Sequence, residues 1–211
     1  MLYLYKIINR IYLDISTFFS YFYLKVVLNA LPIKIGKNYK INGFPRIILK
    51  GNSILEIGNG FSMNSGFLHN PIGRNQRCIL SVSENASLLI GHNVGVSSSA
   101  IICQELIKIG DNVRIGGNTI IYDTDFHSLN VLERTSIPEV KKNVSTKKIE
   151  IKNNVFIGGH CIVLKGVIIG ENSIVGAGSV VSKNIPANEI WAGNPIQFVK
   201  KIGNNESNKV N

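Results

Sequence analysis

The sequence is short of acidic residues, short of cysteine and without a long unbroken apolar run, and each shortage removes a class of protein. Asp and Glu number 13 against 23 Lys and Arg in 211 residues, a formal net charge of +10. Such a surface attracts anions: a nucleotide phosphate, an acidic membrane leaflet or an acidic glycan. Nucleic acid is the poorer candidate. No helix-turn-helix or zinc-finger pattern is present, and the basic residues are scattered apart from Lys pairs at 141–142, 147–148 and 200–201. Cys78, Cys103 and Cys161 are odd in number and lack CxxC spacing. They exclude a disulfide framework and a zinc knuckle and fit a reducing cytoplasm. In the first 34 residues Lys6, Arg10, Asp14 and Lys25 interrupt an apolar and aromatic stretch, leaving Ile15 to Leu24 as the longest uncharged run. That is half of a bilayer span. A secretory signal is disfavoured too, because Asp14 breaks the apolar region and no small-residue cleavage site follows. The length suits one domain with a real core plus appendages.

What is present is a beat. From Ile151 aliphatic residues return every six positions, at Ile151, Ile157, Val163, Ile169, Val175 and Val181. A 3.6-residue helical period cannot hold a six-residue repeat on one face, whereas short strands joined by corners can. Four residues after each lead stands a second small or aliphatic residue: Val155, Cys161, Val167, Ser173, Ser179 and Ile185. Each hexad therefore has two inward positions. The same beat runs through Ile90, Val96 and Ile102 and, after one extra residue, Ile109, Ile115 and Ile121, with a looser set at Ile35, Ile41, Ile57 and Met63. Over half the chain obeys it, which predicts a stack of parallel strands in which each turn buries its interior against the next.

The beat stops at "IIYDTDFHSLN", Ile120 to Asn130. Counting from Ile121 in sixes lands on His127, and the inward position before it is Asp125, so ionisable groups occupy two predicted core slots. Residues 128–150 carry no hexad, and Ile151 resumes the rhythm. An extruded loop over a polar notch is predicted, and such a notch is where a site is expected. Strand alternation puts Asp123, Asp125 and His127 on one side, so that a carboxylate holds one imidazole nitrogen while the other faces outward as a general base. The alternative is a buried histidine satisfied by two aspartates.

The repeats, and above all "NNVFIGGHCIVLKGVIIGENSIVGAGSVVSKNIPANEIWAGNPIQFVKKI", resemble the hexapeptide-repeat acyltransferases over roughly residues 35–202. The DTDFH string resembles the catalytic-histidine segment of those that acetylate sugars, particularly of surface polysaccharides. The resemblance implies an all-β fold, a left-handed parallel β-helix of about six coils. Residues 1–34 are expected as an N-terminal helical segment closing the lower end. Residues 35–190 form the β-helix, and 191–211 a cap with a short helix at Ile196–Ile202 and a tail. It implies acetyl-CoA as donor and direct transfer to a sugar hydroxyl, with His127 as base, Asp125 and Asp123 behind it, and the Gly159 N–H receiving the charge on the carbonyl oxygen. Gly159, Gly176, Ala177 and Ser182 match positions that line CoA in the family, with Lys183 and Lys200 or Lys201 near its phosphates. Phe156 stands where relatives carry tryptophan, and Ser97 or Ser98 where galactoside-acting relatives carry an acceptor-binding asparagine. His160 is read as structural or as a CoA neighbour. His69 and His92 have no metal-ligand spacing with His127, so no metal is expected. Members are trimers with sites between subunits. The expected location is cytoplasmic, with residues 1–30 packing on the protein or resting on the inner face of a membrane. Two rival functions stand beside sugar O-acetylation: N-acetylation of an amino-sugar nucleotide, and a non-catalytic glycan-binding β-helix.

Overall fold

The computed structural model describes residues 1–66, 68–70, 72 and 76–203. One helix, α1 (Leu2–Ala30), leads into a coil that lays one strand on each of three sheets per turn. The first coil is β1 (Ile33–Ile35), β2 (Lys40–Gly43) and β3 (Arg46–Leu49), and the second β4 (Ile54–Ile57), β5 (Ser62–Ser65) and β6 (Ile79–Val82). The third is β7 (Ser87–Ile90), β8 (Gly95–Ser97) and β9 (Ala100–Cys103), and the fourth β10 (Leu106–Ile109), β11 (Arg114–Ile115) and β12 (Ile120–Tyr122). A long loop holding the short helix α2 (Val131–Arg134) follows. Then come the fifth coil, β13 (Ile149–Ile151), β14 (Phe156–Ile157) and β15 (Ile162–Val163), and the sixth, β16 (Ile168–Ile169), β17 (Ile174–Val175) and β18 (Val180–Val181). The chain closes with β19 (Glu189–Ala192) and β20 (Gln197–Lys201).

All pairings between coils are parallel, giving a first sheet β1-β4-β7-β10-β13-β16, a second from β2 up to β19 and β20, and a third from β3 to β18. Register stacks the hexad leads, with Ile109 on Ile151, Ile115 on Ile157 and Ile157 on Val175. These side chains, with Leu80, Ile101, Ile121, Val163 and Val181 of the third sheet, are buried in one continuous core. Each coil is thus held by aliphatic burial from above and below, and no single coil could bury its own interior.

The corners between the first and second sheets carry a feature absent from the hexad analysis. Asn93, Asn112, Asn154, Asn172 and Asn188 all take positive φ, 55–60°. Each amide bonds the next along the stack, at 3.3, 3.0, 2.9 and 2.8 Å. Asparagine tolerates the left-handed conformation a tight corner needs, and its side chain carries both a donor and an acceptor, so identical corners link into a ladder.

Three expectations change. The inward residue after Val96 is Ile101, not Ile102, which is only half-buried: Ser98, at φ 39°, turns that corner with one residue fewer. Ile196–Ile202 is no helix; β20 runs antiparallel to β19. The last strand of the second sheet would otherwise offer an open row of backbone groups, and a returning strand pairs that row where a helix would not. Finally, α1 covers the base only in part, since Ile33, Ile35, Ile41, Ile47 and Leu49 of the first coil stay half-buried. The tail at 204–211 lies outside the described residues.

Candidate active site

The register break is real, but it distributes the three polar residues differently from strand alternation. β12 ends at Tyr122, and the next inward residue is Asp123, fully buried. Its carboxylate accepts from the backbone N–H groups of Gln104, Glu105 and Leu106 at 2.7, 2.8 and 2.9 Å. It holds the corner of the coil below and does not touch the imidazole. Asp125 is half-buried and pairs with Lys165 of the fifth coil at 3.0 Å. Phe126 then takes φ 63°, which ends the alternation and swings the next residue outward. His127 is therefore not in a core slot: 58% of its side chain is exposed. Asp123 and Asp125 are supports of the coil and the loop neck, not orienters of His127.

The orienting carboxylate is Glu139, from the far side of the loop, whose Oε1 lies 2.8 Å from His127 Nδ1. With Nδ1–H donating there, Nε2 is left as the lone-pair nitrogen facing out. The loop leaves and re-enters the coil through a pinched neck, with Thr124 bridged to Thr146, Asp125 N–H donating to Ser145 O and Lys147 N–H donating to Asp123 O. Inside it, Asn130 caps α2 by accepting from Leu132 N–H at 2.9 Å. Glu133 accepts from the Ser128 hydroxyl and the Asn143 amide, which holds its carboxyl below the usual range. The loop is thus a folded platform that delivers Glu139 to His127.

The other candidates fall on two separate edges of the triangular coil. Gly159, Gly176 and Ala177 lie at the corner between the second and third sheets. His127, Ser182 and Lys183 lie at the corner between the third and first sheets. Within one chain His127 and the Gly159 N–H therefore stand on different edges of the coil. Gly159 is tightly covered, for a Cβ there would meet Gly117 O at 3.0 Å and Ile72 Cδ1 at 3.1 Å. Gly176 is demanded by packing, since a Cβ would come within 2.8 Å of the Ala192 methyl. Lys183 sits over the Trp191 ring at 5.2 Å, as a cation on an aromatic face. Lys200 lies on β20, opposite Ile190, and Lys201 opposite Glu189.

Ser97 and Phe156 share a shallow groove of about 360 Å³ on the second sheet with Ser62, Asn64 and Arg114. Ser98 is fully buried, its hydroxyl unpartnered among the described residues, so it is a corner residue and not a contact for an acceptor. His160, at φ 60°, bonds through Nδ1 to the Asn118 amide at 3.0 Å, and His92 Nδ1 accepts from Asn59 N–H at 2.9 Å; both are corner supports. No group of three or more His, Cys, Asp or Glu able to hold a metal ion occurs among the described residues. Sequence reasoning missed Glu139, Lys165 and Arg114. Glu139 stands outside any repeat phase that could assign it, and Lys165 and Arg114 occupy outward positions that the hexad leaves free to vary.

Residues 148–183 match the bacterial transferase hexapeptide (six repeats), and residues 106–122 match the hexapeptide repeat of succinyl-transferase. The chain is 35% identical to the galactoside O-acetyltransferase of Escherichia coli over 127 residues, which are 59% of each chain. It is 38% identical to that of Lactococcus lactis over 102 residues, 47% of this chain and 45% of that one. The chain thus spans about half the length of the curated relatives it matches. Among solved structures it resembles a mutant of AntD, an N-acyltransferase from Bacillus cereus in complex with dTDP and coenzyme A. The two share 28% identity with a TM-score of 0.61, over 85% of this chain and 89% of that one. The chain thus carries hexapeptide repeats and resembles the sugar O-acetyltransferases.

Proposed function

We propose that the chain is an acetyl-CoA-dependent O-acetyltransferase acting on a sugar hydroxyl of a surface polysaccharide or its precursor, in the cytoplasm. The observation that carries this reading is the exposed His127 with Nδ1 engaged by Glu139. Its relatives, the galactoside O-acetyltransferases, supply the sugar acceptor as the substrate class. His127 Nε2 takes the acceptor's hydroxyl proton as the oxygen attacks the thioester carbonyl. The tetrahedral intermediate collapses by breaking the C–S bond, and the imidazolium returns the proton to the departing thiolate. A backbone N–H aimed at the carbonyl oxygen contributes about 3 kcal/mol in such steps. Gly159 is assigned that role.

Because Gly159 and His127 lie on different edges of one coil, the reading requires a second copy. In a cyclic homotrimer of left-handed coils, the edge bearing His127, Ser182 and Lys183 meets the next subunit's edge bearing Gly159, Gly176 and Ala177. CoA would lie along that seam. Ser97, Phe156, Arg114 and Asn64 line the groove assigned to the acceptor.

A second reading, N-acylation of an amino-sugar nucleotide, is favoured by the resemblance to the Bacillus cereus N-acyltransferase bound to dTDP. An amine needs deprotonation as an alcohol does, so the same histidine serves. The deciding experiment incubates the purified chain with acetyl-CoA and a panel of sugars and amino-sugar nucleotides, following thiol release and product mass. An alkali-labile acetyl product supports the O-acetyl reading, an alkali-stable one the N-acetyl reading. Loss of about 10²-fold or more in turnover on His127→Ala supports the base. No turnover on any acceptor, with His127→Ala silent, leaves a non-catalytic glycan-binding β-helix.

A further inference from the structure

Helix α1 turns its most apolar face away from the protein. Leu4, Ile8, Ile11, Ile15, Phe18 and Phe22 follow one another at intervals of four and three, so they share one side of a 3.6-residue helix, and every one of them is exposed. The side packed on the coil is a different one, where Ser20 and Leu24 are buried and Tyr23 donates to Pro45 O at 2.7 Å. Tyr3, Tyr5, Tyr12, Phe19 and Tyr21 widen the exposed apolar surface well beyond a narrow two-residue seam. This is not the core helix of a globular protein: its most apolar window is only 11% buried.

Charge supplies the second observation. Residues 1–50 hold eight of the chain's basic residues, Lys6, Arg10, Lys25, Lys34, Lys37, Lys40, Arg46 and Lys50, against the single acid Asp14. Five of them belong to the first coil or the turn that ends it, the end nearest α1, and all five are exposed. A wide apolar face rich in aromatics beside a basic rim is the complement of an anionic lipid surface, with rings at the level of the headgroups and cations against the phosphates. Lys6, Arg10 and Asp14 recur at intervals of four along the helix. By length and composition α1 could cross a membrane, yet any 18-residue span within it would carry Asp14 into hydrocarbon, whereas a helix lying in the interfacial plane keeps its charges among headgroups.

We propose that α1 docks the protein on an anionic membrane surface, lying in the plane of the interface with Leu4, Ile8, Ile11, Ile15, Phe18 and Phe22 inserted and the first coil's basic residues against the headgroups. The proposal stands independently of the reaction catalysed.

The test uses the full chain in vesicle sedimentation. Vesicles of phosphatidylcholine alone are compared with vesicles containing phosphatidylglycerol, at low and high salt, with light scattering for oligomeric mass. Expected is pelleting with the anionic vesicles that weakens with salt. Phe18→Glu/Phe22→Glu should abolish it at unchanged circular dichroism and unchanged oligomeric mass. Lys37→Glu/Lys40→Glu, which leaves α1 intact, should weaken it, by about fivefold for each basic residue lost near the surface. Two results overturn the proposal. One is absence of pelleting with anionic vesicles. The other is a fall in oligomeric mass in Phe18→Glu/Phe22→Glu, which would make the exposed face a seam between copies of the chain.

Discussion

Replacing Glu139 by Gln keeps the shape of the side chain and withdraws its charge, so it isolates the contribution of the carboxylate to His127. The Nδ1 to Oε1 contact is 2.8 Å, a charge-assisted hydrogen bond that becomes an ion pair when the imidazole takes its proton. Bonds of that kind contribute about 1.5–3 kcal/mol. More than half of the His127 side chain and 20% of Glu139 are exposed, so solvent screening trims the value to about 1–2 kcal/mol. At about 1.4 kcal/mol per decade, turnover should fall about five- to thirtyfold in Glu139→Gln, with the KM for acetyl-CoA unchanged. The assay is thiol release under saturating acetyl-CoA. His127→Ala should cost about 10²-fold or more, and adding Glu139→Gln to it should cost nothing further, because the carboxylate acts only through the ring. Asp125→Asn is the matched control: its partner is Lys165, and turnover should stay within about twofold once folding is verified. Wild-type turnover in Glu139→Gln combined with a large loss in Asp125→Asn would refute the assignment and restore the aspartate as orienter.

Asp123→Ala strands three backbone N–H groups in a buried corner and should destabilise by about 3–5 kcal/mol, lowering Tm by about 10 °C or more in a calorimetric scan, whatever happens at His127. Asn154→Ala removes the bonds to Asn112 and Asn172 and puts a Cβ without a polar group at φ 60°; about 1–2 kcal/mol should be lost in urea unfolding, and less in Asn154→Gly. Burial pushes the thiol pKa of Cys78 up to about 11 and that of Cys103 up to about 12. Both therefore stay protonated near neutral pH and should resist iodoacetamide at pH 8 in the folded protein, reacting only after denaturation. Coexpressing His127→Ala with Ala177→Trp, which blocks the seam, should restore about a quarter of wild-type turnover if each site draws on two subunits, and none if it lies within one.

The hexads were legible because burial inside a narrow coil leaves no choice at the inward positions: Ile115, Ile157 and Val175 stack as their spacing required. That logic holds only while the chain stays in the coil. It failed at Asp125 because the strand ends at Tyr122, and at His127 because Phe126 then takes positive φ; parity carries no information past either point. The inward slot went to Asp123 instead, where a carboxylate is tolerated because three N–H groups converge on it. Glu139 was hidden for the complementary reason, since its position is set by the loop's own bonds around Glu133 and by the neck at Thr124 and Thr146, none of which has a period. The C-terminal strand was missed because β20 forms to satisfy an edge, and an edge is a property of the stack and not of Gln197–Lys201. The same distinction bears on the site as a whole. A repeat specifies what each residue meets within its own coil, while His127 and Gly159 stand on different edges of it, so in the proposed trimer their relation would be set by the packing of one coil against another and not by the spacing of either.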